Sequence, residues 1–472
     1  MGEQPPASSG VTRRGFLLGA GAGLAAGASL TWLGMRRWQA AANDHEELLS
    51  SASSSQSAAS DCMPGRFPGR VIEVRHRDAV DGRSNAVRAD AVKPMIDRGM
   101  RELTGADDPV EAWRSFFQPG DVVGIKVNPV GMKSRADVVG VISSPALLIE
   151  VVEGLKSAGV RPRDIIVFER YASEFRGAGY EELLRVRALD GVRWYASSSG
   201  FDSSQLNIDG HVTNHGRADV DSHVVGYDPD VFVHMGFAAA DHDPKDDRRF
   251  RSHLSVIVTR MVNKIVTLPV LKDHRSAGIT GALKNLSHGL NNNVARSHLT
   301  AVDRLAGGVS EPNQCDTFIP TAAGQRAIRE KATLHILDGL VGTYEGGPGC
   351  WNPTWATWRR KSLFFATDPV AMDHVAWDVI DQKRRDEGWP PVARMGILSR
   401  VPSVELSSRL IGLGAARPSD AITLAAAGQY CPGNQQSEQF DRRQPEHVIL
   451  AGTIGLGIFD ARRIEHRTVH LG

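Results

Sequence analysis

The chain has 472 residues, with 55 Lys and Arg against 54 Asp and Glu, 41% hydrophobic residues and 6% aromatics. A formal net charge of +1 leaves no global basic surplus to favour nucleic acid or an anionic membrane surface, so any anion recognition must be local. The length exceeds what one small core usually organises but suits a single elaborated α/β unit, and the 48 glycines imply many tight loops.

In chain order, Thr12-Arg13-Arg14-Gly15-Phe16-Leu17-Leu18 opens a Gly/Ala-rich apolar stretch that ends at Leu33. Paired arginines before a weakly hydrophobic segment resemble a twin-arginine export signal. The stretch is long enough to span a bilayer, but its Gly and Ala content makes a poor permanent span. Arg36 and Arg37 follow it, and Ala40-Ala41-Ala42 offers a small-residue cleavage site. Residues 1–42 are therefore read as a signal segment handled by the twin-arginine translocation machinery. The product is expected to be periplasmic or otherwise exported, with no stable membrane span after cleavage; an uncleaved anchor and a chance Arg pair are the alternatives. That route carries proteins already folded. Residues 43–64, rich in Ser and Ala, read as a linker, and 65–472 as the α/β domain.

Within the domain, Val71–Val74 reads as a strand and Asp121–Asn128 as a core strand with a polar end. Ala146–Ala158 carries Leu147, Leu148, Val151, Val152 and Leu155 at helical spacing, and Gly159 ends it before the strand Asp164–Glu169. Strand, helix and strand in that order make a crossover unit of a parallel sheet. Residues 186–260 read as a β-rich insertion with charged loops such as Asp241–Asp247. Lys264–Pro269 is a buried-strand candidate, followed by a Gly-rich turn and a helix over Gly281–Leu290. Thr333–Asp338 reads as a strand ending in a carboxylate before Gly339, and Ser362–Ala366 as another. Asp368-Pro369 then starts a helix over Val370–Arg385. The fold expected is α/β: a mainly parallel sheet, flanking helices and a β-rich central insertion.

Chemistry-bearing residues concentrate in Leu271–His288. The carboxyl ends of strands in an open α/β sheet are where ligands bind. There Lys272 and Lys284 provide point charges, His274 a group that exchanges protons near neutral pH, and the helix start a set of amides and a dipole that favour an anion. The stretch lacks the Gly-Lys-Ser/Thr ending of a phosphate-binding loop. Lys126 and Asn128 interrupt an apolar strand, and a buried lysine needs a partner or a ligand. Asp338 ends its strand, while Asp368, Asp373 and His374 surround the start of the last long helix. For Asp368 helix capping competes with a site role; for the others, solvated faces compete. His242, His253, His288 and His298 lack the spacing of a helical zinc motif. Cys62, Cys315, Cys350 and Cys431 contain no Cys-x-x-Cys, so an iron–sulfur cluster held by this chain alone is not expected. Trp351, Trp355 and Trp358 form a lid, a docking surface or ordinary packing.

Four segments together resemble the domain of unknown function numbered 362: Gly124–Asn128, Leu268–His274, Gly281–Asn285 and Ala366–Asp373. Their order and spacing cover about residues 70 to 385. The resemblance implies an α/β domain in which Lys126, Lys272, His274, Lys284 and Asn285 line a common site. Many relatives carry ferredoxin-like cysteine clusters and this chain has none, so no electron-transfer role is carried over.

Three functional classes follow. The first is an exported enzyme for a small anionic ligand, with Lys126, Lys272 and Lys284 holding the anion and His274 as general acid/base. The second is a metal- or cofactor-binding redox partner, the metal and the cofactor both unspecified. The third is a noncatalytic protein binding a ligand in the same pocket. All three expect Lys272, His274 and Lys284 in one concave site, with Asn128 and Asn285 beside them and Lys126 and at least one of Asp338 and Asp368 reaching it.

Overall fold

Val123–Lys126, Ile165–Tyr171 and Lys264–Thr267 are short apolar runs buried along almost their whole length, as strands covered on both faces must be. They lie at the centre of a sheet in a computed structural model that describes residues 62–84, 86–131, 134–135, 138–139, 141–200, 221–234, 251–274, 277–292, 294–297, 315–349, 355–389, 391–392 and 445–472. The twin-arginine segment, the linker up to residue 61, the Asp241–Asp247 loop, His298, Cys350, Cys431 and Trp351 lie outside the described residues.

The strands are β1 (Arg70–His76), β2 (Val123–Lys126), β3 (Ser134–Arg135), β4 (Val138–Val139), β5 (Ile165–Tyr171), β6 (Arg193–Ser198), β7 (Tyr227–His234), β8 (Arg251–Ser255), β9 (Lys264–Thr267), β10 (Val270–His274), β11 (Gly278–Thr280), β12 (Ala332–Glu345), β13 (Ala356–Trp358), β14 (Ser362–Ala366) and β15 (Glu465–Leu471). The main sheet runs β15-β1-β14-β12-β9-β2-β5-β6, with β10, β11 and β13 attached through β12. From β12 to β6 every pairing is parallel, and β14 runs antiparallel to both its neighbours. The fold is α/β.

Principal helices are α1 (Ala89–Thr104), α2 (Pro145–Ser157), α3 (Ala172–Gly177), α4 (Ala282–Ser287), α5 (Cys315–Ala323), α6 (Pro369–Asp386) and α7 (Glu446–Thr453). Alternation along the strands divides the core into two layers. Val123, Ile125 and Val167 pack with Met95 and Ile96 of α1 and Leu147, Leu148 and Val151 of α2. Ile166, Phe168 and Ile265 pack with Leu283 and Leu286 of α4, Ile319 of α5 and Met372 and Val375 of α6. Local signals set the ends of α2: the Ser144 hydroxyl accepts from the Leu147 amide at 3.3 Å, Pro145 occupies the first turn, and Gly159 at φ +97° follows it. Among the described residues no helix is long and apolar enough to cross a membrane.

Three expectations are corrected. The segment after Pro269 is a strand rather than a turn: Val270 and Leu271 continue the apolar run, and β10 pairs parallel with β12 and antiparallel with β11. β12 does not stop at Asp338 but continues to Glu345. Gly339 and Gly342 are there for close packing: an added Cβ would meet the Phe364 ring at 2.9 Å and the Trp358 ring at 2.6 Å, respectively. The segment over 186–260 is divided, because β6 is the edge strand of the main sheet, parallel to β5, while β7 and β8 pair separately. Trp355 and Trp358 are partly buried against the two cores, and Trp358 meets Tyr344 edge-on at 5.9 Å, which is ordinary packing.

Candidate functional site

Parallel neighbours β2 and β5 end side by side, Lys126 opposite Phe168. Their carboxyl ends carry Lys126 and Asn128 from one chain segment and Glu169 and Arg170 from the other. These four line a cavity of about 220 Å³ that also takes in Glu174 of α3, His274 of β10, Thr280 of β11, and Lys284, Asn285 and His288 on and just after α4. This exceeds the roughly 150 Å³ void that admits benzene, so a small metabolite fits. The position is the one that a parallel sheet offers, at the carboxyl edge of its strands.

The lysines are held in three different ways. Lys126 is buried and donates to the Glu169 carboxylate at 2.6 Å and the Val127 carbonyl at 2.7 Å. Burial still lowers its affinity for the proton, with Glu169 opposing. Lys272 stands behind the cavity wall, donating to Asn128 Oδ1 at 3.1 Å and to the carbonyls of Val130 and Val141. Burial, reinforced by Lys284, pushes its ammonium down to about 7. Lys284 is half-buried on the wall, and among the described residues its ammonium has no ion pair or side-chain hydrogen bond. Burial lowers it to about 8. Cys315, within its electrostatic reach, is no counter-ion, because burial pushes that thiol up to about 12.

Other polar groups on the wall are equally unmet. Both amide atoms of Asn285, the Thr280 hydroxyl, Arg170 Nε and Glu174 Oε2 are buried without a hydrogen-bond partner. Native proteins leave few such atoms, because each costs about 1–3 kcal/mol. Several of them belong to residues that line this one cavity. Its wall carries Lys126, Arg170 and Lys284 against Glu169 and Glu174, with Lys272 close behind, so positive charge is in excess. Burial raises the Glu174 carboxyl toward its neutral form and widens that excess. Nδ1 of His274 accepts from the Ala277 amide at 3.1 Å, which places the proton of the neutral ring on Nε2. That ring suits hydrogen-bond donation; acting as a base requires breaking the bond. His288 is spanned by Ser287 Oγ at 3.2 Å and Ser297 Oγ at 2.7 Å.

The helix start expected to hold the anion is already occupied. Asp373 of α6 accepts from the amides of Ala282 and Leu283 at 2.6 and 3.0 Å, so the protein's own carboxylate caps α4. Gly281 permits this approach, since a Cβ there would lie 2.0 Å from Asp373 Oδ1. Asp373 thereby positions Lys284 and Asn285, the next two residues of the helix.

The structure therefore brings Lys126, Asn128, His274, Lys284 and Asn285 to one wall, with Lys272 bonded to that wall from behind. It does not bring the two aspartates. Asp338 is buried, accepts from the Ser144 and Leu340 amides at 2.7 and 3.0 Å, and is pushed up to about 6 by burial; it reaches Lys272 through the field alone. Asp368 is spent on four backbone amides and caps α6, so its place as a ligand residue is corrected to a structural one. His374 bonds the Phe459 carbonyl at 2.8 Å. Glu169, Arg170, Glu174 and Thr280 were missed. The rule that singles out Lys126, a charge ending an apolar strand, singles out Glu169 equally; Glu174 and Thr280 carry no such mark.

The depressed lysines fix a pH response. A lysine whose folded value lies below its unfolded one near 10.5 binds fewer protons folded than unfolded between the two, so stability rises with pH across that interval. Lys272 covers about 7 upward and Lys284 about 8 upward. Asp338 and Asp373, raised to about 6 and about 7, make their opposite contribution below that window, and His335 and His447, lowered to about 3, make theirs, of the lysines' sign, below it as well. Cys315, raised to about 12, opposes the lysines from about 9 upward but is one group against two and enters only at the alkaline end. Urea unfolding at pH 7.5 and 9.5 (roughly the span between the lowered and ordinary lysine values) is expected to give higher stability at the alkaline end; a flat or falling profile contradicts the assignment.

Comparison with known proteins gives one family. The model of the family "Domain of unknown function (DUF362)" matches residues 123–378, a span that holds every residue on the cavity wall. Among solved structures, a crystal structure of a Thermotoga maritima protein from the Northeast Structural Genomics Consortium is similar at 11% identity and a TM-score of 0.30, over 63% of this chain and 59% of that one. No curated protein matches.

Proposed function

The chain belongs to the DUF362 family, and from that premise we propose that it binds a small anionic metabolite in the cavity between β2, β5, β10 and α4, as an exported enzyme. The observation that carries this reading is Lys284: a half-buried cation on the wall of the cavity with no ion pair or side-chain hydrogen bond among the described residues, beside the unpaired Asn285 amide and Arg170 Nε. Desolvating an ammonium that makes no ion pair is costly, Glu174 offsets part of that cost through the field alone, and a bound anion lowers it further. Asn285, with a donor and an acceptor both unmet, selects a ligand bearing a hydroxyl or carbonyl besides its charge. Glu174 and His274 are the wall groups suited to move or donate a proton.

Thermal unfolding of the full chain in rising inorganic phosphate tests the binding. Stabilisation that saturates, at constant ionic strength kept with chloride, is expected; no shift beyond that of chloride counts against the reading. Export rests on Arg13 and Arg14. Replacing both with lysine is expected to keep the protein inside the cell, measured by fractionation, and unchanged export contradicts the signal.

A further inference from the structure

We propose that Lys284 is a covalent amine, forming an imine with the carbonyl carbon of a small 2-oxo acid. The inference rests on the anion-binding reading of the same cavity and adds a reaction to it. Three lysines approach this region, and their surroundings separate them. The Lys126 protons are engaged by Glu169 and Val127, and those of Lys272 by three oxygen acceptors behind the wall. Only Lys284 stands on the wall with no described acceptor fixing its protons. An amine desolvated beside other cations is the pattern that makes lysine a nucleophile near neutral pH, and the neighbours required, Lys126, Arg170 and Lys272, are in place. Its value near 8 agrees with that geometry.

The other unmet atoms supply what a 2-oxo acid needs. Arg170 Nε and the Asn285 amide group are donors for a carboxylate, and the Thr280 hydroxyl is a partner for the oxygen of the attacked carbonyl. Glu174, half-buried, with a buried Oε2 that lacks a bond and a carboxyl raised toward neutrality, is the proton carrier. In the step, the neutral amine's lone pair forms the C–N bond, and the carbonyl π pair moves to oxygen, which takes a proton from neutral Glu174. The nitrogen then returns a proton to the Glu174 carboxylate. Glu174 passes that proton to the hydroxyl, the C–O bond breaks, oxygen leaves as water while the nitrogen lone pair closes the C=N bond, and the remaining N–H proton goes back to Glu174. Amine and carbonyl thus become imine and water, with no oxidant or reductant involved.

The test is reductive trapping of the full chain with glyoxylate, pyruvate and 2-oxoglutarate in separate arms, using cyanoborohydride, followed by peptide mass mapping. The expected result is an adduct on Lys284 formed roughly tenfold or more faster than on any other lysine, since each unit of lowered pKa multiplies the free amine tenfold while lower basicity takes back part of the gain. Lys284→Arg keeps the charge and is expected to lose the adduct while phosphate still raises its melting temperature. Adducts spread evenly over surface lysines, or none in all three arms, overturn the proposal; the wild-type map alone decides this if the variant does not fold. Phosphate stabilisation without a Lys284 adduct sinks the imine and leaves the anion pocket. Absence of phosphate stabilisation counts against the pocket itself.

Discussion

Asp368→Ala is expected to lose roughly 4 kcal/mol or more of stability, enough to unfold much of the protein given typical totals of about 5–15 kcal/mol. The residue is fully buried, and its two oxygens accept four amides from three parts of the chain: Val370 and Ala371 at the start of α6, Gly69 before β1, and Ile458 after α7, all at 2.9–3.0 Å. Alanine leaves all four donors unmet, and Gly457, packed so that a Cβ would lie 1.9 Å from Asp368 Oδ1, shows how little room there is for water to replace them. Asp368→Asn retains one acceptor oxygen and is expected to lose about half as much. Urea titration measures both. A loss below about 1 kcal/mol for the alanine variant contradicts the capping role, and an intact fold with lost ligand binding restores Asp368 to the site.

Lys284→Met is expected to weaken phosphate binding by about 3 kcal/mol, roughly a hundredfold, because a desolvated charge on an anion is worth more than an exposed one. The same substitution is expected to raise the stability of the ligand-free protein at neutral pH, since it removes a half-buried ammonium that has no described partner and fills the space with methylene. The opposite signs are the signature of a binding residue kept at a stability cost. Lys126→Met provides the contrast: it strands Glu169, 2.6 Å away and buried, and is expected to destabilise strongly. Calorimetry for affinity and urea unfolding for stability separate the cases. A Lys284→Met protein that loses stability and keeps its affinity contradicts the account.

Short-range physics made much of this architecture legible. The apolar runs of β2, β5, β9 and β14 and the helical spacing of Leu147, Val151 and Leu155 are periodic signals, and Asp368-Pro369 and Ser144-Pro145 are starts that capping chemistry requires. β10 was hidden because Pro269 and the glycines that follow, Gly278 and Gly281, look like turn residues, whereas it pairs antiparallel with the short β11 beside it and parallel with β12, some seventy residues away. Of the site, Lys126 was visible as a charge in an apolar strand. Which carboxylate answers it was not, because Glu169 arrives through sheet order. The helix start at Gly281 misled for a similar reason: the dipole argument was sound, but Asp373, about ninety residues on, supplies the anion. Asp338 shows the limit of reading strand ends, since β12 continues past it.

The central claim, that Lys284 and its unpaired neighbours hold an anion, is tested most directly by the anomalous difference map of full-chain crystals soaked in selenate. The account predicts a selenium peak inside the cavity, with its oxygens in hydrogen-bond reach of Lys284 Nζ and of Arg170 Nε or Asn285 Nδ2. Selenate found only on surface arginines and lysines, with none in the cavity, would contradict it.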